Sequence, residues 1–188
     1  MKIAINKDIN ISGRTAVALG NFDGIHVGHQ SLIKNVVQKG KEEGLMSAVF
    51  TFNNHTSKFL KENLVGCLLS KNKKKEILED MDVELLYMID FNEELRHLKP
   101  EDFVKKILIN QLNTKLVVVG FNYRFGYMGM GDTKVLMELG KQYGFDVIVI
   151  DPVIIDEDVV SSTLVRQLIT NGNISKACLL YTSPSPRD

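Results

Sequence analysis

The chain has 188 residues and carries 23 basic and 23 acidic side chains, so its formal net charge is zero. A neutral chain creates no overall field that would attract nucleic acid or a membrane surface, and we expect neither as a partner. The lysine-rich run 71–75 is more typical of a solvated helix face than of an RNA site. With 44% hydrophobic residues, the chain can bury one substantial core, which favours a single domain.

The cysteines and the N-terminus indicate the compartment. Cys67 and Cys178 lie far apart without the spacing of a metal or redox motif, which is typical of reduced thiols. The N-terminus has too few apolar residues for a signal peptide, and no segment approaches the length of a membrane span. We therefore expect a cytoplasmic protein.

Strand and helix signals alternate along the chain. In order, they predict a buried strand at 15–19, a helix that ends at Gly40, a strand at 46–52, a helix from Ser70 to about Met81, a strand at 84–89, a helix opening at Pro100, a strand at 116–120, a helix from Asp132 to Gly144, a strand at 145–150 and a last helix from Ser161 to near Gly172. This alternation predicts a doubly wound α/β fold with a parallel sheet, whose ligand lies beyond the carboxyl ends of the strands. Residues 181–188 contain two prolines and no periodicity, so we expect an unstructured tail after a domain of residues 1–180.

The segment 19–29, where the first predicted strand leads into a helix, carries the strongest functional signal. Its glycines allow the backbone to approach a ligand closely, and the free N–H groups at a helix start favour an anion. His26 and His29 can each donate to phosphate oxygens, and Gly28 leaves no side chain between them. The alternatives are two ordinary polar residues at a helix start, or half of a metal site. Metal is the weaker of these, because zinc needs three or four ligands and no further histidine lies nearby.

A second segment at a predicted helix start combines hydroxyl groups with a guanidinium. Ser161, Ser162 and Thr163 can cap the helix or bind phosphate, and Arg166 lies one turn after Ser162 on the same face. The group suits a triphosphate, although by itself it would be interpreted as an ordinary helix cap.

Two further segments follow predicted strands. The loop 120–126 offers Asn122 and Arg124 beside aromatic rings that could stack on a planar ligand, although Phe121 and Phe125 could simply pack. The segment 51–55 has polar groups suited to a second phosphate or a metal-bound water. Its residues favour a functional role and a purely structural turn equally. His97 is expected at the surface.

Together the segments favour nucleotidyl transfer, in which an acceptor phosphate attacks the α-phosphorus of a nucleoside triphosphate. A phosphate monoester has a second pKa near ~6, so it is already a nucleophile at neutral pH. The protein must then supply alignment and charge neutralisation, which His26, His29, Arg166, the helix N-termini and Mg²⁺ could provide.

The motifs Gly20–Gly24 with His26 to His29, 120–126 and 161–166 resemble the FMN adenylyltransferase module of bacterial FAD synthetases, in the family's order and over about residues 15–180. The resemblance implies a Rossmann-like fold of the His-x-Gly-His nucleotidyltransferase type and the reaction ATP + FMN → FAD + pyrophosphate with Mg²⁺. It implies that His26, His29 and Arg166 are catalytic, that the ATP site is formed by Gly20, Asn21, Phe22, Asp23, Gly24, Gly28, Ser162 and Thr163, and that the FMN side is formed by Asn53, His55, Asn122 and Arg124. It assigns no protein ligand to a metal.

The chain departs from the family pattern in two places. Asn54 and Thr56 flank His55, where the family commonly has prolines. The family also continues into a riboflavin kinase domain, which we expect to be absent here together with its activity. Two other functions remain open: another His-x-Gly-His nucleotidyltransferase that acts on a different phosphorylated acceptor, or a flavin- or nucleotide-binding module without turnover.

Overall fold

The computed structural model describes residues 1–6, 11–53 and 67–181, and its centre is a six-stranded parallel sheet. The strands of this sheet are β1 (Lys2–Ile5), β2 (Thr15–Leu19), β3 (Met46–Phe52), β4 (Leu85–Ile89), β5 (Thr114–Gly120) and β6 (Asp146–Ile150). They lie in the order β1-β4-β3-β2-β5-β6. A small antiparallel pair is formed by β7 (Ile154–Ile155) and β8 (Asp158–Val159).

Helices follow most of the strands. They are α1 (Val27–Glu43), α2 (Lys71–Asp80), α3 (Glu93–Arg96), α4 (Pro100–Phe103), α5 (Thr133–Tyr143), α6 (Ser162–Thr170) and α7 (Ile174–Leu179). The helix α4 continues as a π-helix over Val104–Gln111, and a short 3₁₀ turn spans Tyr127–Gly129. No helix in the described ranges is long and apolar enough to cross a membrane.

The sheet is buried on both faces, which confirms the doubly wound α/β prediction. Successive side chains of a strand point to opposite faces. In β2, Val17 and Leu19 belong to the core cluster shared with α4 and α5, whereas Ala16 and Ala18 belong to the cluster shared with α1. All the residues of β2 are buried, as expected for a central strand covered by helices on both sides.

The strand order places a topological switch point between β2 and β5. The chain runs from β2 outwards through β3 to β4, and then crosses back to add β5 on the other side of β2. In open α/β sheets, ligands bind at such a point, beyond the carboxyl ends of the strands. Here these ends are marked by Gly20 and Gly120.

Several predicted helix boundaries are confirmed, because the predicted capping residues form the expected caps. The side chain of Ser70 accepts a hydrogen bond from the Lys73 N–H at the start of α2, and Asp132 does the same for Val135 at the start of α5. Gly144 ends α5 in the left-handed conformation. Residues with the sequence signature of caps therefore fix the helix ends.

One predicted helix end is wrong, and one helix was not predicted. The helix α1 continues past Gly40, which is buried. Glycine is needed there, because a Cβ would lie 2.9 Å from the Leu45 carbonyl oxygen. It ends at Glu43, where Gly44 takes a φ of 65°. The helix α6 is not the last one, because α7 follows with Asn173 as its cap. The short elements β1, β7 and β8 were not predicted, since two to four residues give too little periodicity.

The C-terminal helix packs against the start of α1. The Val27 N–H donates to the Leu180 carbonyl at 2.8 Å, and the Gln30 side chain donates to the carbonyl oxygens of Ile25 and Tyr181. Residues 182–188 of the predicted tail lie outside the described residues.

Candidate functional site

A cavity of about 850 Å³ lies at the carboxyl ends of the strands, at the switch point between β2 and β5. It brings together most of the segments that the sequence singled out. The predicted site residues on its lining are Gly20, Asn21, His26, Gly28, His29, Asn122, Arg124 and Ser162.

Buried hydrophobic residues hold the loop that follows β2. Phe22 and Ile25 have positive φ values of 44° and 39°, which their burial in the core maintains. A Cβ on Gly20 would lie 3.1 Å from the Phe22 ring, so glycine lets this ring pack under the loop. The loop is therefore fixed by its apolar residues, and the exposed Asn21 is left on the cavity lining.

The two histidines form a stacked pair at the start of α1. His26 is the N-cap residue, and its Nδ1 accepts a hydrogen bond from the His29 N–H at 3.4 Å. The ring centroids lie 3.8 Å apart with an interplanar angle of 18°. A Cβ on Gly28 would lie 3.2 Å from His26 Nδ1, so the intervening glycine lets the pair stack.

Both imidazoles are neutral at neutral pH. Burial lowers the pKa of His26 from 6.5 to about 4. Burial, followed by the charges of His26 and Lys74, holds the pKa of His29 well below its ordinary value. Because His26 Nδ1 accepts a hydrogen bond, its proton is assigned to Nε2, which can donate into the cavity. In this state the pair provides hydrogen-bond donors rather than the positive charge expected from the sequence.

Arg166 lies in α6, one turn after the cavity-lining Ser162. Its guanidinium forms an ion pair with Asp23, and its Nη1 donates to the Ser162 carbonyl at 3.4 Å, one turn earlier in α6. Its Nε is buried without a hydrogen-bond partner among the described residues. Neither Arg166 nor Asp23 is on the cavity lining. A phosphate that recruits this guanidinium must therefore compete with Asp23.

Lys74 was missed by the sequence analysis. Its Nζ donates to the Asn21 carbonyl at 3.4 Å, and the buried Thr51 hydroxyl donates to the same oxygen at 2.7 Å. Burial lowers the pKa of Lys74. The signal was present, because Lys74 precedes the fully buried Leu78 by four residues and thus lies on the inward face of α2.

In the loop 120–126, one aromatic residue packs in the core and another is available to a ligand, which were the two interpretations that the sequence left open. Phe125 is buried and pairs with Gly131 through two backbone hydrogen bonds of 3.0 and 2.9 Å, so it packs. Phe121 is 44% exposed on the cavity lining, next to the exposed Asn122 and Arg124. The loop thus offers a ring, an amide and a guanidinium to a ligand.

Other predicted site residues lie apart from the cavity. Asn53 donates to Asp90 at 2.8 Å and accepts from Lys71 at 2.9 Å. Thr163 is exposed, whereas Phe22 and Gly24 are buried beneath the loop. Asn53 is half-buried.

The chain's other two histidines are His55, which was predicted on the FMN side, and His97, which was predicted at the surface. His55 lies outside the described residues. His97 is exposed, as expected, and stacks on Tyr127 with ring centroids 5.1 Å apart.

Ser161 and Ser162 are both on the cavity lining. Ser161 also caps α6, because its side chain accepts a hydrogen bond from the Leu164 N–H at 3.1 Å. Within residues 1–6, 11–53 and 67–181, no group of three or more His, Cys, Asp or Glu side chains could hold a metal ion.

The fold of this chain is similar to those of several solved structures. A crystal structure described as a macrolide-efflux protein from Streptococcus pneumoniae matches 98% of this chain and 62% of that chain, with a TM-score of 0.86 and 30% sequence identity. The pantoate-beta-alanine ligase of Francisella tularensis matches 96% of this chain and 86% of that chain, with a TM-score of 0.53 and 15% identity. At that identity, the second likeness shows the fold alone.

The amino-acid sequence is also similar to those of curated proteins. The bifunctional riboflavin kinase/FMN adenylyltransferase of Buchnera aphidicola (subsp. Acyrthosiphon pisum) is 34% identical over 90% of this chain and 55% of its own length. The protein of the same name from Listeria monocytogenes is 34% identical over 89% of this chain and 54% of its own length. The chain thus spans about half the length of the curated relatives it matches. Because the FAD synthetase family model matches residues 8–164, which include the histidine pair and the loop after β5, the chain belongs to the FAD synthetase family.

Proposed function

We propose that this chain is an FMN adenylyltransferase, which transfers the AMP group of ATP to FMN and releases pyrophosphate. The observation that carries the proposal is that the stacked pair of His26 and His29 and the aromatic loop 120–126 face one cavity at the switch point of the sheet. A site for transfer between two phosphorylated ligands needs such a shared space. Membership of the FAD synthetase family supports the choice of ATP and FMN.

In the proposed reaction, a phosphate oxygen of FMN attacks the α-phosphorus of ATP. The new P–O bond forms as the bond from the α-phosphorus to pyrophosphate breaks, and the bond electrons leave with pyrophosphate. With a second pKa near ~6, the FMN phosphate is mostly dianionic at pH 7 and needs no general base. The protein's contribution is to align the two phosphates and to stabilise charge on the transferring group.

The nucleotide phosphates are assigned to the side of the cavity formed by α1 and α6. His26 and His29 would donate hydrogen bonds to oxygens of the transferring phosphate, and an approaching polyanion would raise the pKa of both rings. Ser162 faces the cavity from the first turn of α6, where free N–H groups also favour an anion. Arg166 would add a bidentate contact once a phosphate replaces part of its pairing with Asp23.

The flavin is assigned to the side formed by the loop 120–126. Phe121 is exposed there and could stack on the isoalloxazine ring, while Asn122 and Arg124 could bind its polar edge or the FMN phosphate. We also place Asn53 and His55 on this side. The Asn53 side chain is hydrogen-bonded to Lys71 and Asp90, so it would act on the flavin indirectly, through these partners.

We propose that Mg²⁺ enters with ATP, where it would neutralise charge on the phosphate oxygens. Mg²⁺ usually takes only one or two protein carboxylates beside the phosphates, so it does not require a cluster of ligands. Asp151 is an exposed carboxylate on the cavity lining and could supply one of them. The residues present therefore fit a Mg²⁺ ion bound mainly through ATP.

The test is to incubate the purified protein with ATP, FMN and Mg²⁺ and to follow FAD by chromatography together with released pyrophosphate. We expect equal amounts of both products, and no pyrophosphate when FMN is omitted. Pyrophosphate release with phosphopantetheine but not with FMN would identify a different nucleotidyltransferase. Flavin and ATP binding without pyrophosphate would identify a binding module, and either result would refute the proposal.

A further inference from the structure

The loop between β2 and α1, which ends at His26, is held by side chains of β3 and α2 at one of its carbonyl groups. The Asn21 oxygen accepts from Thr51 Oγ1 at 2.7 Å and from Lys74 Nζ at 3.4 Å. Thr51 lies on β3 and is fully buried, so it fixes the loop to the sheet. Lys74 approaches from α2 and adds the only charged contact described for this carbonyl within the residues that the structure covers.

Lys74 also lies within a cluster of charged and polar groups beneath the loop. The Asp23 carboxylate pairs with Arg166 and approaches Cys67 Sγ at 3.7 Å. Asp23 also acts electrostatically on Lys74, and Lys74 acts on His29. Arg166 is thus ion-paired with the Asp23 carboxylate, and the charge of Lys74 acts on the same, largely buried group.

The interactions of Asp23 with Arg166 and Lys74 become important when a polyphosphate binds. If Arg166 turns towards phosphate, the negative charge of the Asp23 carboxylate is less well compensated, which is costly for a largely buried group. The positive charge of Lys74 would still act on Asp23 and would limit that cost. Its contact with Asn21 would keep the loop in place during the same step.

We propose that Lys74 is a positioning residue for nucleotide binding: its ammonium holds the Asn21 carbonyl and offsets the charge of Asp23, so that Arg166 can bind the triphosphate. This inference deepens the proposed adenylyl transfer and rests on it. It assigns Lys74 a role in ATP affinity through the loop and the carboxylate, without direct contact with the reacting phosphorus.

The neighbouring lysines of α2 provide a matched control. Lys73 is exposed and pairs with Glu76 at 2.9 Å, one turn along the helix. Such an exposed pair contributes little to stability. Lys73→Met thus removes a lysine of the same helix, and the same charge, without touching the loop.

The experiment compares Lys74→Met, Lys74→Arg and Lys73→Met with the original chain. The dissociation constant of ATP is measured by calorimetry without FMN, and KM for ATP and for FMN is measured by FAD formation. We expect Lys74→Met to weaken ATP binding about tenfold, as for loss of one hydrogen bond to a charged group, with little change in KM for FMN. Lys74→Arg should restore most of the affinity, and Lys73→Met should match the original chain.

Rescue by arginine separates a role of the charge from a role of the side-chain volume. Equal ATP affinity in Lys74→Met and Lys73→Met would overturn the proposal, and so would a Lys74→Arg variant as weak as Lys74→Met. Lys74→Gln serves in place of the methionine variant if thermal melting shows that the latter does not fold. Failure of the proposed function is distinguishable, because the original chain would then make no FAD, whereas ATP affinity would still decide the role of Lys74.

Discussion

The guanidinium of Arg166 forms an ion pair with the carboxylate of Asp23, although the two residues lie 143 positions apart in the sequence. The pair joins the loop after β2 to the first turns of α6. Its side chains are only 23% and 14% exposed, so water screens the interaction little. The same carboxylate that orients the guanidinium therefore also competes with any phosphate that would bind it.

We predict that Arg166→Lys weakens the affinity for ATP and leaves the affinity for FMN nearly unchanged. Lysine keeps the charge but loses the planar fork that can hold two oxygens at once. Nucleotide affinity is measured by calorimetry and FMN affinity by flavin fluorescence. A variant that loses affinity for FMN alone would place Arg166 on the flavin side and reverse the assignment of the two subsites.

His29→Ala is expected to reduce the rate of adenylyl transfer by about 10²–10³, the usual cost of one preorganised donor at a reacting centre. FMN binding should change little, because the flavin is assigned to the loop 120–126. His97→Ala is the control, since His97 is exposed and stacks on Tyr127 outside the cavity lining. Near-normal turnover of His29→Ala with ATP and FMN would remove His29 from the mechanism.

Features that depend on local sequence were predictable. Caps such as Ser70 and Asp132 bind backbone groups within three residues, so their signature is complete in the sequence. The strand at 46–52 was predicted with the bounds that the structure shows, because its apolar run is bounded by polar turns. The histidine pair was also predictable, since the start of a helix fixes the relative positions of residues 26 and 29.

Features that depend on distant contacts were not predictable. The pairing of Arg166 with Asp23 requires the position of α6 relative to β2, which no local pattern gives. The burial of Gly40 inside α1 follows from the approach of Leu45, and the sequence alone made this glycine look like a helix end. The spacing of Lys74 to Leu78 could have indicated its inward direction, but its contact with the Asn21 carbonyl joins residues 53 positions apart and was not predictable.

His26 should make folding sensitive to acid. Its pKa is about 4 in the folded protein, compared with 6.5 for an ordinary histidine. Between these values the unfolded chain binds a proton that the folded chain does not, so the free energy of unfolding falls as the pH is lowered from 6.5 to about 4. The size of the effect is about 3 kcal/mol, from 1.36 kcal/mol per pKa unit.

The matched variant for this prediction is His26→Asn, because asparagine can also cap α1 but does not titrate. Urea unfolding of both proteins is measured at several pH values between 4 and 7. The stability advantage of the histidine protein over the variant should shrink as the pH falls. Parallel curves for the two proteins would show that burial does not hold His26 neutral.

Gly28→Ala should separate activity from stability. A Cβ at this position would lie 3.2 Å from Nδ1 and 3.3 Å from Cε1 of His26, so the His26 ring, which stacks on His29, must move by a few tenths of an ångström. Alanine favours a helix over glycine by about 1 kcal/mol, which offsets the cost of that shift in the folded protein. We therefore expect the urea midpoint to change little while the rate of FAD formation falls about tenfold, the effect of a small misplacement of a catalytic group. An alanine variant with full activity would show that the stacked geometry of His26 and His29 is not needed for the transfer.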